Sequence, residues 1–208
     1  MTTLYETFDD LHEFRAKHGF ANIIPLKHVA TSLFLSQATI KSKIRQGEEA
    51  SGLRGVKIEN DFFVFADSVE HKLNEERVLH RKTIAFLLEH LDEGKPALNY
   101  SDGMDFIGLR HHISSDRTRY AKILGRISTA SHEICECLIT VVVHSKGKGV
   151  PSGGFFGLAE WLNEEEEEEI YDLSDSDALT RSETEAVLEN LPEIKKELPG
   201  KMKELFDL

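Results

Sequence analysis

The chain has 208 residues, of which 40% are hydrophobic and 30% charged. This composition is typical of one large or two small globular domains and excludes a fibrous or wholly disordered protein. No apolar run approaches the roughly 20 residues that cross a bilayer, and the first residues, MTTLYETFDD, are acidic where a secretory signal is basic. We therefore expect a cytoplasmic protein with no membrane partner.

The net charge of −12 is unevenly distributed along the chain. Residues 163–208 carry sixteen acidic and five basic side chains, whereas residues 23–69 carry five acidic and six basic ones. The excess negative charge therefore belongs to the C-terminal part, and the rest of the chain is close to neutral. An overall acidic protein can thus still contain a segment that binds nucleic acid.

Two short helices are predicted after Pro25, within HVATSLFLSQATIKSKIRQGE. Ser36 is well placed to cap the second helix, and Gly47 to end it. Two short helices around a tight turn are typical of a helix-turn-helix. Each helix has one apolar pair at four-residue spacing, Val29 with Leu33 and Ile40 with Ile44. Before them, one amphipathic helix ending near Gly19 is predicted from Leu4, Phe8, Leu11 and Phe14.

The next segment, LRGVKIENDFFVFADSV, reads as two strands and a short helix that begins near Ala66. The strands are joined by a turn at Glu59-Asn60-Asp61 and would form a wing behind the second helix. The whole stretch from Ile23 to Val69 resembles the excisionase-like and MerR-like winged helix-turn-helix family. The resemblance is carried by the alanine of the first helix, the Ser-x-x-Thr-Ile start of the second and the basic residue before Gly-Glu. It implies binding to double-stranded DNA.

The residue spacing and the resemblance indicate the same DNA-binding face. With Ile40 and Ile44 buried, the side chains of the second helix at four-residue steps form one exposed stripe. Gln37 could bond an adenine edge, and Lys41 or Arg45 a guanine edge or a phosphate. Hydroxyls at the helix start could hold a phosphate, Lys43 would flank the stripe, and the wing would add two cations. The candidate DNA-binding residues are Ser36, Gln37, Thr39, Lys41, Lys43, Arg45, Arg54 and Lys57.

One alternative to DNA binding remains open for this face. The charges could be solvated, on a helical hairpin that contacts other proteins. Because the segment is close to neutral, one copy would make few phosphate contacts and bind DNA weakly. We therefore expect a homodimer or a second DNA-binding surface.

A helical linker is predicted over residues 70–95, followed by a second domain over residues 96–162. The expected order is a short helix in LNYSDGMDFIGL, a long helix capped at Ser114-Ser115-Asp116, a strand from Leu138 to Val143, the glycine-rich KGKGVPSGG and a last helix in GLAEWL. This is a winged-helix order, and with YSDGMDFIGL it is similar to the DNA-binding domain of alkyltransferase-like proteins. No Pro-Cys-His-Arg site is present, so no alkyl transfer is implied. A second DNA contact is possible at Arg117, Arg119, Lys122, Arg126, Lys146 and Lys148.

Cysteines and histidines of the second domain invite catalytic or metal interpretations. A disulfide between Cys135 and Cys137 would be strained, so reduced intracellular thiols are expected. The spacing H-x-x-C-x-C-x6-H from His132 to His144 matches no common zinc site, and the two cysteines should point to different sides. His111-His112 lack the paired carboxylates and following lysine typical of nucleases. We predict no catalytic residue, no metal and no cofactor.

The C-terminal part is predicted as an acidic linker and a helical tail. The glutamate run from Glu164 to Glu169 should be extended and disordered. Ser182-x-x-Glu185 reads as a capping box that opens a helix ended by Pro192, and a last helix is interrupted at Pro199-Gly200. The tail could be a solvated appendage, an imitation of the phosphate backbone, or a docking element for a basic protein.

Together these features predict an α+β fold of two small winged-helix-like domains joined by a helix, with an acidic helical tail. The expected boundaries are 1–69, 70–95, 96–162 and 163–208. The predicted function is that of a sequence-specific DNA-binding regulatory or architectural protein, such as a small repressor or mobile-element factor, and not an enzyme. The alternatives are a phage-defence or counter-defence interaction protein whose acidic tail binds a basic partner, and a metal-dependent nucleic-acid enzyme that uses the region from His111 to His144.

Overall fold

A computed structural model describes residues 23–58, 60–95, 97–145, 147, 149–167 and 169–205. The chain divides into two compact units between Glu76 and Arg77. Helices and a small antiparallel sheet are combined, which confirms the α+β class. Among the described helices, none has both the length and the apolar character needed to cross a bilayer. The amphipathic helix predicted before Gly19 lies outside the described residues.

Among the described residues of the first unit, three strands and three helices precede its last helix. They are β1 (Ile23–Pro25), α1 (Leu26–Ser32), α2 (Gln37–Gln46), α3 (Glu48–Ser51), β2 (Gly55–Ile58) and β3 (Asp61–Phe65). Strand β3 lies between β1 and β2 and pairs antiparallel with both. The Ser36 hydroxyl caps α2 by accepting the Thr39 N–H at 3.1 Å, and Gly47, with φ of 87°, ends it. The two predicted short helices and the two predicted strands of the hairpin are confirmed, whereas β1 and α3 were not predicted.

The β2–β3 hairpin packs one face against α2. Directly opposed residues of an antiparallel pair share a face, so Gly55, Lys57, Phe62 and Val64 lie on the same side of the hairpin. A Cβ on Gly55 would lie 2.7 Å from Ile44 Cδ1 and 2.8 Å from the Phe63 carbonyl oxygen. The close approach of β2 to α2 therefore requires glycine at this position.

One continuous helix, α4 (Ala66–Asp92), combines the short helix predicted near Ala66 with the helical linker predicted over residues 70–95. Its first turns belong to the first unit, where Val69 and Leu73 are buried. Its later turns belong to the second unit and bury residues at three- and four-residue steps, namely Ile84, Leu87 and Leu91. A sequence with an uninterrupted apolar stripe and no internal glycine or proline favours one unbroken helix.

The second unit is built around α6 (Ser114–Cys135). After α4 it contains β4 (Leu98–Asn99), α5 (Tyr100–Phe106), α6, a 3-10 helix (Ile139–Val142), β5 (Val143–His144), α7 (Gly153–Glu165), α8 (Ser176–Glu189) and α9 (Leu191–Glu204). Helix α6 buries Tyr120, Ile123 and Ile127 and packs against α7, α9 and the 3-10 helix. Strands β4 and β5 form a two-stranded parallel sheet. The predicted glycine-rich turn is closed by an antiparallel bridge between His144 and Pro151, and β5 pairs with β4 from before α5.

The apolar run LITVVV is a 3-10 helix followed by a very short strand, and not the predicted strand. Its first N–H groups are bound by side chains of neighbouring helices. The Leu138 N–H donates to a Glu183 carboxylate oxygen at 2.8 Å, the Ile139 N–H to Ser131 Oγ at 3.1 Å and the Thr140 N–H to Ser128 Oγ at 3.2 Å. The segment therefore has its donors satisfied without a partner strand.

The C-terminal helices belong to the core of the second unit, whereas a solvated tail was one of the predicted alternatives. Helix α8 begins six residues before Ser182, because the Asp175 carboxylate accepts two N–H groups of the first turn. Helix α9 starts near Pro192 and continues through Pro199. Residues at four-residue steps are buried along it, namely Ile194, Leu198 and Met202. This burial offsets the roughly 3 kcal/mol that a proline inside a helix costs.

The glutamate run is tied together at its two ends and is not simply an extended linker. Asn163, at the end of α7, donates through its amide nitrogen to the Tyr171 carbonyl oxygen at 2.7 Å. Its amide oxygen accepts the Tyr171 N–H at 2.8 Å. Glu164 and Glu165 belong to the last turn of α7, and Glu166, Glu167 and Glu169 follow the helix; these described members of the run are exposed. Tyr171 itself is buried.

Replacing Gly55 by alanine tests the contact between β2 and α2. Because the new Cβ meets both a side chain and a backbone oxygen, we expect a loss of about 1–3 kcal/mol in the free energy of unfolding of the first unit, measured by urea denaturation. The matched control is Gly125→Ala in α6, where no atom lies within 4 Å of the added Cβ. That change should be neutral or stabilising by up to about 1 kcal/mol. Equal stability of Gly55→Ala and the parent chain would contradict the packing.

Candidate nucleic-acid interface

Two cationic side chains of α2 lie over the ring of Phe62. Lys41 Nζ lies 5.5 Å and Arg45 Cζ 5.9 Å from its centroid, both from α2. Lys57 is directly opposite Phe62 in the β2–β3 register, so its side chain lies on the same face of the hairpin. We call Lys41, Arg45, Lys57 and Phe62 the cationic cluster. The sequence analysis did not single out Phe62, because the strand pairing that places it opposite Lys57 is seen only in the structure.

Helix α2 presents a surface without negative charge. Its sequence, QATIKSKIRQ, contains three basic and no acidic residues. Gln37 is exposed one turn before Lys41, and Arg45 is exposed one turn after it. The predicted stripe of three side chains is therefore present. The Ser36 and Thr39 hydroxyls, 2.8 Å apart, bond to each other at the start of the helix.

Two predicted DNA contacts lie elsewhere. Lys43 is two residues from Lys41, which places it about 160° away around the helix axis, on the other flank of buried Ile40. It does not flank the stripe as predicted. The Arg54 guanidinium is 4.4 Å from the Phe65 ring centroid and forms an ion pair with Asp67 at 2.5 Å. Its charge is thus balanced within the protein.

The second group of predicted DNA contacts separates into two places on α6. Arg119, Lys122 and Arg126 fall within about 60° of one another around the helix, whereas Arg117 projects about 160° from Arg119. Arg117 donates to the His111 carbonyl oxygen at 2.8 Å, and Arg126 lies 3.5 Å from His80 Nε2. Lys146 and Lys148 lie outside the described residues. The α6 cations therefore do not form a single patch with Arg117.

The cysteines and histidines do not assemble into a metal centre. The Cys135 and Cys137 sulfurs are 3.2 Å apart, so the prediction that they point to different sides is wrong. His132 Nδ1 is bonded to the Tyr171 hydroxyl at 2.7 Å. Burial lowers the pKa of His144, which keeps its imidazole neutral to lower pH than usual. Among the described residues, no group of three or more His, Cys, Asp or Glu side chains could hold a metal ion.

A polar cleft of about 450 Å³ includes His111 together with Asp102 and Asp105. Asp116, near the start of α6, accepts the Arg110 N–H at 2.9 Å and holds the loop before that helix. The cleft therefore combines two carboxylates with an imidazole. Asp116 is not part of it, because its carboxylate is bonded to the backbone.

No protein-family model matches the chain, and no curated protein or solved structure shows significant similarity to it.

Glu183 provides a prediction on pH dependence. It is buried, and burial raises its pKa, opposed in part by the bond from the Leu138 N–H. A carboxyl whose folded-state pKa is above its unfolded value contributes stability that is present below the unfolded pKa, near 4.3, and is lost as pH rises through the folded pKa. We expect Glu183→Gln, which keeps an acceptor oxygen but cannot ionise, to lose less stability than the parent chain between pH 4.5 and 8.

Urea denaturation across this pH range measures the effect. Glu185→Gln, on the same helix and exposed, is the control for the change of charge and should follow the parent chain. Glu183→Ala leaves a buried N–H without its acceptor and should cost about 1–3 kcal/mol. Parallel pH profiles for Glu183→Gln and the parent chain would refute the assignment.

Proposed function

We propose that this protein binds double-stranded DNA through α2 and the β2–β3 hairpin, as a sequence-specific regulatory or architectural protein. The proposal rests on the cationic cluster, which brings Lys41, Arg45 and Lys57 to one face in a chain of net charge −12. A local concentration of cations on an exposed helix and hairpin is suited to a polyanion. The arrangement supports a winged helix-turn-helix interpretation of the first unit.

In the proposed complex, α2 enters the major groove and the hairpin follows the backbone. Gln37 is suited to the N6 and N7 edge of adenine, and Arg45 to the O6 and N7 edge of guanine. Lys41 and Lys57 neutralise phosphates on either side of these base contacts. The small exposed side chains of Ala38 and Ser42 allow the helix to approach the bases closely.

Phe62 contributes by ordering the cations before binding. Attraction between a cation and an aromatic face is worth about 0.5–1 kcal/mol at exposed sites, enough to favour one arrangement of the long side chains. Ordering them in the free protein reduces the entropy lost on binding. The same contacts leave the ammonium and guanidinium groups half-buried or exposed, available to phosphate oxygens.

The number of cations limits the affinity of one copy. The two phosphate contacts assigned to Lys41 and Lys57 imply a slope of about −1.8 in log K against log salt, which is modest for a specific DNA-binding protein. A homodimer would present two clusters and roughly double the slope. The proposal therefore includes a second copy on a site with two halves.

Fluorescence anisotropy with mixed-sequence duplex DNA, at several salt concentrations, tests the proposal on the full chain. Lys57→Ala should weaken binding and reduce the salt slope by about 1 per copy. Lys41→Ala/Arg45→Ala should abolish most of the binding. Lys82→Ala removes the same charge as Lys57→Ala from an exposed position of α4 in the second unit and should leave the slope unchanged. If the parent chain binds no DNA at low salt, the cluster serves protein contacts instead.

Phe62→Leu separates the ordering role of the ring from charge. The variant keeps an apolar side chain and every cation, so we expect affinity to fall about 2- to 10-fold, in line with the loss of cation–π contacts. The salt slope should stay that of the parent chain, because the number of phosphate contacts is the same. An unchanged affinity would show that the ring does not order the cations.

A further inference from the structure

Cys135 and Cys137 face each other at the end of α6. Glu136, between them, adopts a left-handed conformation with φ of 53° and ends the helix, its N–H donating to the His132 carbonyl oxygen at 2.8 Å. This turn brings the two sulfurs to 3.2 Å from each other. A disulfide bond is about 2.05 Å long, so bonding requires the sulfurs to move by little more than 1 Å.

Hydrogen bonds on both sides hold the pair in place. Ser131 Oγ donates to the Cys137 carbonyl oxygen at 2.7 Å, and the Cys135 thiol lies 3.3 Å from the Ser131 carbonyl oxygen. The next residue, Leu138, is tied to the Glu183 carboxylate. The juxtaposition of the sulfurs is thus part of the buried hydrogen-bond network of the second unit.

The two thiols differ in access to solvent. Cys137 is fully buried, whereas Cys135 is partly exposed. A reagent from solution can therefore reach Cys135 and not Cys137. Burial also raises the pKa of Cys137, which makes it a poor first nucleophile. These features distinguish a thiol that reacts first from one that resolves the product.

We propose that Cys135 and Cys137 form a reversible disulfide site whose reagent is a low-molecular-weight disulfide. The Cys135 thiolate attacks one sulfur of the reagent, forms a mixed disulfide and releases one thiol of the reagent. Cys137 then gives up its proton and attacks the Cys135 sulfur, which expels the second thiol. Two protein thiols are oxidised and one small disulfide is reduced to two thiols. The site is independent of the proposed DNA binding.

A metal is a poorer occupant of this place. His132, the nearest candidate ligand along the chain, has its Nδ1 bonded to the buried Tyr171 hydroxyl. The described residues supply no group of three potential ligands. A ring closed across a single residue is strained and therefore readily reduced, which suits a reversible modification.

The test treats the folded full-length chain with oxidised glutathione and follows its intact mass. The parent chain should lose the mass of two hydrogen atoms and retain no adduct, and dithiothreitol should restore the original mass. Cys137→Ser should retain one glutathione, because the resolving thiol is missing. Cys135→Ser should stay unmodified over the same period, because the remaining thiol is buried.

Circular dichroism of each variant establishes that the fold is retained, and serine is close to cysteine in size. A retained glutathione on the parent chain would overturn the proposal, since Cys137 would have failed to resolve it. Equal modification of the two single variants would overturn the assignment of roles. No reaction of the folded parent chain, together with full reaction in urea, would show that the pair is inert in the fold.

Discussion

The backbone N–H groups of the buried segment from Leu138 to Thr140 donate to no partner strand, and each donates instead to a side-chain oxygen of α6 or α8. An unpaired N–H at these positions would cost about 1–3 kcal/mol. Ser128 and Ser131 hold the segment against α6, and Glu183 joins α8 to it. The course of the chain after α6, the place of the C-terminal helices and the juxtaposition of the two cysteines all depend on these bonds.

The first unit depends on a different constraint, the contact between a helix and a hairpin that only a small residue permits. Gly55 allows β2 to approach Ile44, and this approach places Phe62 under the side chains of α2. The functional surface is therefore a product of packing. Cations that are distant in the sequence converge on one ring, whereas Arg54, close to the hairpin in sequence, is neutralised by Asp67.

Local patterns predicted the first unit well. The apolar pairs of α1 and α2, the Ser36 cap, the Gly47 end and the hairpin are encoded within a few residues of where they act. The second unit was harder, because acceptors distant in the chain override local preference. The β-branched run at Leu138 favours a strand by composition and becomes a 3-10 helix once Ser131 and Glu183 bind its backbone. Pro199 is a second case in which tertiary structure overrides local preference. It is tolerated inside α9 because neighbouring residues of that helix are buried.

The sequence by itself determined α1, α2 and the β2–β3 hairpin, the position of the cations along α2 and the concentration of negative charge after residue 162, since each is a property of neighbouring residues. Only the tertiary structure decided that Lys57 shares a face with Lys41 and Arg45, because that depends on the register of β2 with β3 and on the contact between the hairpin and α2. It also decided that the C-terminal helices belong to a core and that two cysteines one residue apart face each other, because buried hydrogen bonds from distant side chains determine the path of the backbone.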